Sequence, residues 1–222
     1  MDTAIKGVLF DMDGLMIDTE KLLVRFWCES AQSFGFPMTR EHVLGIRSLS
    51  CKYAEPHLKG IFGEDFDFPA VRANRIKIMN AYIDEHGIEV KPGLTELLDH
   101  IAARGLKCAV CTATDRERTK RYLTEIGVYD RFDAFVCGDM IANGKPDPDT
   151  YLEGAAALGL APAECLALED SPNGIESAYR AGCKPVMVPD LTQPDEATLP
   201  KLYAVCEDLA KVRDIIDRGA VV

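Results

Sequence analysis

Five short apolar segments, separated by longer helix-like stretches, constrain what this chain can fold into more than any other feature. They are KGVLFD near residues 6–11, LKCAVCT near 106–112, DAFVCG near 133–138, ECLALED near 164–170 and KPVMVP near 184–189. Runs of this length, bounded by polar, glycine or proline residues, are typical of strands buried on both faces of a parallel sheet. From residue 93 onward they alternate with helical patterns, which predicts an α/β fold with a doubly wound, Rossmann-like parallel sheet.

The predicted helices after residue 93 have recognisable ends. Four of them stop at a glycine, which is favoured just beyond a helix: Gly105, Gly127, Gly159 and Gly182. Ser171 is the expected N-cap of the last of these helices, and Pro172 is expected at its first position. Thr114 or Asp115 is expected to cap the helix that ends at Gly127.

The segment 15–90 interrupts the alternation, because it contains helical patterns and no convincing strand. We therefore predict a helical cap domain at 15–90, inserted into a core formed by residues 1–14 and 91–222. An insertion directly after the first strand lies over the carboxyl ends of the strands, where open α/β sheets bind ligands. Such a domain is expected to act as a lid.

The net charge of the chain limits the kinds of partner that are expected. The 222 residues include 25 basic and 36 acidic side chains, which gives a net charge of -11. An acidic surface repels phosphate backbones and anionic lipids, so nucleic-acid and membrane binding are not expected. A small phosphorylated metabolite is compatible with this charge if a metal or a local cation offsets it. No charge or apolar signature demands a protein partner, and a monomer is expected.

The N-terminal sequence and the cysteines indicate a cytoplasmic protein. The first residues lack the basic and apolar regions of a signal peptide, and no run approaches 18 apolar residues. The eight cysteines are expected to be free thiols, because a chain this rich in core residues needs no disulfides. Cys108 and Cys111 form a C-x-x-C, but alternation along a strand puts them on opposite faces. They are expected to be buried apolar side chains rather than a redox or zinc site.

Two carboxylates follow the first strand. Asp11 and Asp13 are two residues apart, so their side chains leave the same side of the strand with an axial separation of about 6.6 Å. That gap could hold a phosphoryl group or a metal, and Gly14 permits a sharp exit from the strand. The motif alone is equally compatible with an ordinary acidic turn.

A second acidic pair, Glu169 and Asp170, ends the fourth apolar run. In a doubly wound sheet it would share a crevice with Asp11 and Asp13. Two like charges 4 Å apart repel by about 4 kcal/mol at an effective dielectric constant of 20. Four carboxylates in one pocket therefore need a cation or protonation, and their hard oxygen atoms favour Mg²⁺.

Two further residues are candidates for binding a phosphoryl group. Thr112 ends the second apolar run, where its hydroxyl and the following backbone N–H groups would be available to a phosphoryl oxygen. Lys145 lies in a proline-rich loop after the third run and could neutralise developing phosphate charge. Taken singly, a threonine at a strand end is usually structural, and a loop lysine is usually solvated.

Taken together and in this order, D-x-D-G, a strand-end threonine, G-K-P-x-P-D and E-D-S-x-x-G resemble the haloacid dehalogenase superfamily. The segment GLMIDTE after Asp13 resembles the β-phosphoglucomutase-like subgroup, in which a helical cap follows the first strand. That subgroup contains mutases and many sugar-phosphate phosphatases. The resemblance extends over about residues 5 to 215.

The resemblance implies a role for each motif residue. Asp11 corresponds to the nucleophile that becomes an aspartyl phosphate, and Asp13 to the general acid and base. Thr112 corresponds to the phosphoryl-binding hydroxyl, and Lys145 to the lysine that stabilises the charged intermediate.

The resemblance also implies the ligands of a metal and of a substrate. Mg²⁺ would be held by Asp11, Asp170 and the carbonyl group of Asp13, with Glu169 as a direct or water-mediated ligand. The expected substrate contacts are Thr19, Arg47 and Ala113. Basic side chains of the cap are further candidates for such contacts: Lys52, Arg72 and Arg75. For each basic residue the alternative is a solvated helix face.

Two departures from the mutase pattern favour hydrolysis. Leu23 stands where the mutases carry a histidine, and an aliphatic side chain cannot transfer protons. Arg47 is one place away from the position of the mutases' cap arginine. We therefore predict a Mg²⁺-dependent phosphatase acting on a small phosphomonoester such as a sugar phosphate. A phosphosugar mutase is the first alternative, and a protein that binds phosphate esters without turnover is the second.

Overall fold

The structure is a computed structural model that describes residues 4–219. The six strands in this part of the chain are β1 (Gly7–Phe10), β2 (Lys107–Cys111), β3 (Ala134–Val136), β4 (Cys165–Glu169), β5 (Lys184–Met187) and β6 (Ala204–Val205). The α-helices are α1 (Glu20–Ser33), α2 (Arg40–Gly45), α3 (Cys51–Phe62), α4 (Phe68–His86), α5 (Leu94–Ala103), α6 (Arg116–Glu125), α7 (Asp149–Leu158), α8 (Pro172–Arg180) and α9 (Val212–Gly219). Residues 1–3 and 220–222, which the predicted core domain includes, lie outside the described residues.

All six strands form one parallel sheet in the order β3-β2-β1-β4-β5-β6. The predicted doubly wound α/β fold is therefore confirmed. The strand order reverses between β1 and β4, and the crevice at such a point is where open sheets bind ligands. Strand β6 is not among the predicted strands, because this edge strand has only two residues and both are at least partly exposed.

Helices cover both faces of the sheet. Val8 and Phe10 of β1 belong to the apolar cluster under α5, α6 and α9, whereas Leu9 belongs to the cluster under α7 and α8. Cys108 and Cys111 divide between the same two clusters, as strand alternation predicts. Both are buried free thiols, and burial raises the pKa of Cys108 to about 11. A protonated thiol is a poor metal ligand and nucleophile.

The helices α1 to α4 lie between β1 and α5 and have an apolar cluster of their own. Its larger members are Trp27, Met38, Leu58, Phe66 and Phe68. The chain leaves and re-enters the sheet through two paired segments: Asp18 N–H donates to the Glu89 carbonyl at 2.8 Å, and Lys91 N–H donates to the Met16 carbonyl at 2.9 Å. We propose that the boundary between the core and the predicted cap domain lies at this pairing.

Two helix starts position residues near the carboxyl edge of the sheet. Ser171 Oγ accepts a hydrogen bond from Gly174 N–H at 3.2 Å, and Pro172 is the first residue of α8, as expected. Of the two candidate caps of α6, it is the Asp115 side chain that accepts from Arg118 N–H, at 3.0 Å. The Thr114 side chain therefore does not cap this helix and can make a different contact.

No helix within residues 4–219 has both the length and the apolar character that a membrane span requires.

Gly93, where the chain re-enters the core, offers a test of the packing there. Gly93 and Gly105 both have positive φ angles, of 84° and 64°. A Cβ on Gly93 would lie 2.3 Å from the Ala210 backbone nitrogen, whereas a Cβ on Gly105 would meet no heavy atom within 4 Å. Both substitutions to alanine cost about 1–2 kcal/mol for the backbone conformation, and Gly93→Ala adds about 1–3 kcal/mol of overlap. Urea denaturation should show the larger loss for Gly93→Ala, and equal losses would contradict this packing.

Candidate active site

The candidate site lies at the carboxyl edge of the sheet, where β1, β2 and β4 end side by side. Asp11 directly follows β1, and its N–H donates to the Leu168 carbonyl of β4 at 3.0 Å. Thr112 directly follows β2, and its N–H donates to the Val136 carbonyl of β3 at 2.9 Å. Because these backbones extend the hydrogen bonding of the sheet, the side chains start from fixed positions.

Three carboxylates meet there away from solvent. Asp11, Glu169 and Asp170 are all buried, and one oxygen atom from each lies within 4.8 Å of the others. Burial holds the pKa of Asp11 well above its usual value, and the neighbouring charges of Glu169 and Asp170 add to that effect. Burial likewise raises the pKa of Asp170 to about 7. The cluster is therefore costly unless cations balance it.

Lys145 supplies one of these cations. Its ammonium group donates to Asp11 Oδ1 at 2.5 Å, to Glu169 Oε1 at 2.6 Å and to the Cys111 carbonyl at 2.9 Å. The side chain is only 1% exposed. Burial lowers the pKa of Lys145, but the attraction of Asp11 and Glu169 outweighs burial and raises the pKa above its usual value. The Tyr151 hydroxyl also donates to Glu169 Oε1, at 2.5 Å.

The free oxygen atoms of the cluster fit a divalent cation. Asp11 Oδ2 and Asp170 Oδ1 are buried and have no hydrogen-bond partner within residues 4–219. Buried oxygen atoms are normally satisfied, so two orphans in one acidic cluster point to an additional ligand. An all-oxygen donor set suits Mg²⁺. The Asp13 carboxylate is not part of this cluster.

Asp13 has a different environment. Thr19 Oγ1 donates to Asp13 Oδ1 at 2.6 Å, and Thr114 Oγ1 donates to Asp13 Oδ2 at 2.7 Å. Thr112 Oγ1 in turn accepts from Thr114 N–H at 3.1 Å. From the sequence, Thr114 is expected only as a candidate helix cap, although its position two residues after Thr112 could have indicated a place in the site. Thr19 thus holds Asp13, and its expected contact with substrate stays a prediction.

Two glycines make the approach of the carboxylates possible. A Cβ on Gly14, whose φ is 83°, would lie 2.0 Å from Asp170 Oδ2. A Cβ on Gly174, in the first turn of α8, would lie 1.9 Å from the Glu169 carboxyl carbon. Any larger residue would displace the acidic side chains.

Arg47, just beyond α2, supplies the second cation. Its guanidinium group donates to the Asp170 carboxylate, to the Asp170 carbonyl at 3.2 Å and to Thr192 Oγ1 at 3.0 Å. Its Nε lies 3.4 Å from the buried carboxylate of Glu20, a residue of the site that is not among those predicted from the sequence. Arg47 is 5% exposed, so the alternative of a solvated helix face is wrong for this residue.

The helical insertion closes a cavity of about 110 Å³ over the site. From the sheet side it is lined by Asp11, Asp13, Thr112, Ala113 and Thr114. From the insertion, Leu23, Arg72 and Arg75 line it. Lys52 lies outside this cavity and is half-exposed, with its ammonium group 2.8 Å from Asn143 Oδ1.

Fold and site together define a class of protein: an α/β scaffold whose carboxyl edge carries an acidic cluster under a helical insertion. The family model of haloacid dehalogenase-like hydrolases matches residues 8–188, and the chain belongs to that family. The resemblance seen in the sequence motifs is thereby confirmed, and with it the expectation of a hydrolase.

Alignments with named relatives cover most of the chain. A protein of Thermotoga maritima named phosphorylated carbohydrates phosphatase is 27% identical over 223 aligned positions, which cover 98% of this chain and 93% of that protein. Hexitol phosphatase A of Escherichia coli is 33% identical over 184 positions, which cover 82% of each chain. A crystal structure of β-phosphoglucomutase from Clostridium difficile superposes with a TM-score of 0.83, covering 97% of this chain and 96% of that one. At 21% identity, that similarity shows the fold.

Lys145 should carry much of the stability of the metal-free site. Replacing one partner of a buried ion pair leaves an uncompensated charge and costs about 3–5 kcal/mol. Lys145→Met should lower the free energy of unfolding by that order in urea denaturation with EDTA present. Lys52→Met is the control, because its exposed ion pair with Asp147 is worth about 1 kcal/mol or less. Unchanged stability of Lys145→Met would contradict the described ion pairs.

Proposed function

We propose that the protein is a Mg²⁺-dependent phosphatase that hydrolyses a small phosphomonoester through an aspartyl phosphate on Asp11. The observation that carries the proposal is the pair of carboxylates in one cavity. Asp11 is held by a buried lysine, and Asp13 is held by two threonine hydroxyls. Two carboxylates in such different environments suit two different chemical roles.

Asp11 is the nucleophile in this proposal. Lys145 holds Oδ1, while Oδ2 has no protein partner. Attack of a carboxylate oxygen on phosphorus forms the Asp11 O–P bond, and the P–O bond to the alcohol breaks. Lys145 balances part of the charge that develops on the phosphoryl oxygens. Thr112 and Ala113 line the cavity, and we assign the Thr112 hydroxyl and the Ala113 backbone N–H as donors for those oxygens.

Asp13 moves the protons. Its carboxyl group gives a proton to the departing alcohol oxygen, and its carboxylate then takes a proton from the water that hydrolyses the aspartyl phosphate. Thr19 and Thr114 fix the orientation of the carboxyl group for both steps. Mg²⁺ held by Asp11, Glu169, Asp170 and the Asp13 carbonyl supplies positive charge that offsets the charge of the phosphoryl group when it is bound.

The names of the relatives favour a sugar phosphate or a related polyol phosphate as substrate. A phosphosugar mutase is the second candidate, and the similarity in fold to β-phosphoglucomutase supports it. Leu23 lines the cavity and has no proton to transfer, which favours hydrolysis. Conversion of β-glucose 1-phosphate to the 6-phosphate with little free phosphate would favour the mutase. The monomeric state and the cytoplasmic location stay predictions.

Phosphate release tests the proposed activity. We expect Mg²⁺-dependent release from p-nitrophenyl phosphate and from members of a sugar-phosphate panel. Asp11→Asn should lower kcat by about 10³-fold or more, because it removes the nucleophile. Asp65→Asn, the same change at an exposed acid of the insertion, should leave kcat unchanged. Full activity of Asp11→Asn, or the absence of Mg²⁺-dependent turnover with every ester, would overturn the proposal.

Thermal unfolding tests the proposed metal ligands without an activity assay. A ligand that binds only the folded state at 100 times its Kd stabilises that state by about 2.7 kcal/mol. Mg²⁺ should therefore raise the Tm of the wild-type protein by several degrees and should not raise that of Asp170→Asn. Asp190→Asn is the control, because Asp190 also lies near Arg47, at 3.9 Å, but is outside the acidic cluster. An equal Mg²⁺-induced shift in Asp170→Asn would exclude Asp170 as a ligand.

A further inference from the structure

Arg75 of α4 is a buried cation that lines the cavity and forms no ion pair with an acidic side chain in the described part of the chain. The residue is 5% exposed, and its Nε has no hydrogen-bond partner within residues 4–219. Its remaining contacts are weak: Nη1 lies 4.0 Å from the Met79 sulfur, and the guanidinium carbon lies 5.1 Å from the centre of the Trp27 ring. A buried guanidinium group with these contacts alone is short of hydrogen-bond acceptors.

Two other arginines that line the cavity have acidic partners. Arg47 pairs with Asp170, and Arg118 Nε lies 2.7 Å from Asp115 Oδ2. Arg72, one helical turn before Arg75 on the same face of α4, also lines the cavity and makes no ion pair within the described part of the chain. Within residues 4–219, no acidic side chain thus forms an ion pair with either of the two cavity arginines of α4.

Two unpaired arginines in the cavity lower the stability of the folded protein when no ligand is bound. Burial lowers the pKa of Arg75 to about 9, and repulsion from Arg118 and Arg72 contributes. The group is still protonated at neutral pH, so its desolvation is not relieved by loss of the proton. An unpaired buried charge costs several kcal/mol, and a bound anion would offset that cost.

The anion is not the reacting phosphoryl group, because that group is already served by Thr112, Ala113 and Lys145. Nor is it Asp13: no hydrogen bond or ion pair joins Asp13 to Arg75 within residues 4–219, and the attraction of Asp13 does not offset the burial that lowers the pKa of Arg75. We infer that Arg75 and Arg72 form an anion subsite, and that the substrate carries a second anionic group, a carboxylate or a second phosphate. The planar fork of arginine binds both groups through paired hydrogen bonds. This inference rests on the proposed phosphatase function.

Matched substrate pairs test the subsite and distinguish the two anions. The carboxylate pair is 3-phosphoglycerate and glycerol 3-phosphate, and the phosphate pair is fructose 1,6-bisphosphate and fructose 6-phosphate. In at least one pair, the wild-type kcat/KM should be at least about 10-fold higher for the member with the second anion, a difference of about 1.4 kcal/mol. The pair that shows this preference identifies the anion.

Arg75→Met should bring that ratio close to one while changing kcat/KM of the other member of the pair little. Lys77→Met is the control, because it removes an exposed charge from the same helix and should leave the ratio unchanged. Equal kcat/KM within both wild-type pairs would overturn the inference. So would an equal loss for both members in Arg75→Met.

The thermal stability of Arg75→Met distinguishes a ligand-binding role of Arg75 from a structural one. Because Arg75→Met keeps an unbranched side chain over Trp27 and removes an unpaired charge, it should raise Tm, by about 2–4 °C for each 1 kcal/mol gained. A lower Tm would assign Arg75 to the structure of the insertion and overturn the inference.

Binding separates the subsite from the proposed reaction. Trp27 is the single tryptophan of the chain and lies beside Arg75, so its fluorescence reports on this part of the cavity. In an Asp11→Asn background, the preferred anionic compound should bind at least about 10-fold more weakly after Arg75→Met, and the other member of its pair should bind equally well. This loss without hydrolysis of any ester would support the subsite and refute the phosphatase. Hydrolysis of the esters without this loss of binding in Arg75→Met would support the phosphatase and refute the subsite.

Discussion

Mutual repulsion among three buried carboxylates is the constraint on which the rest of the site depends. Asp11, Glu169 and Asp170 come from the ends of two adjacent strands, where the sheet fixes their positions. Two cations from elsewhere in the chain offset their charge: Lys145, from the loop after β3, and Arg47, from the helical insertion. The charges of the carboxylates therefore also tie the insertion and the loop to the sheet.

The two ends of the cavity differ in how completely their charges are balanced. At the sheet end, lysine, tyrosine and threonine donors fix the carboxylates, and glycine leaves room for their close approach. At the α4 end, Arg72 and Arg75 have no acidic partner in residues 4–219. This difference suits the proposed enzyme, in which the sheet end would perform the chemistry and the α4 end would select the substrate.

The sequence alone predicted those features of the fold and of the site that depend on the local hydrophobic pattern and on the order of elements along the chain. Buried strands are recognisable as short apolar runs, and strand-end residues of a doubly wound sheet meet at one edge, so Asp11, Thr112 and Asp170 could be placed together. Lys145 lies in a loop, and only the family resemblance indicated that it belongs to the same site. Contacts between the insertion and the core could not be predicted, because no spacing along the chain relates Arg47 to Asp170 or Thr192. The burial of Arg75 was also out of reach, since a basic residue in a helical pattern is equally compatible with a solvated face.

Detection of the covalent intermediate tests the central claim most directly. Acid quenching of the enzyme during turnover, followed by trypsin digestion and mass spectrometry, examines the peptide from Gly7 to Lys21, which contains Asp11 and Asp13. We predict that this peptide carries one phosphoryl group on Asp11 and that the Asp11→Asn protein carries none. Turnover without phosphorylation of this peptide, or with the phosphoryl group on another residue, would contradict the proposed mechanism.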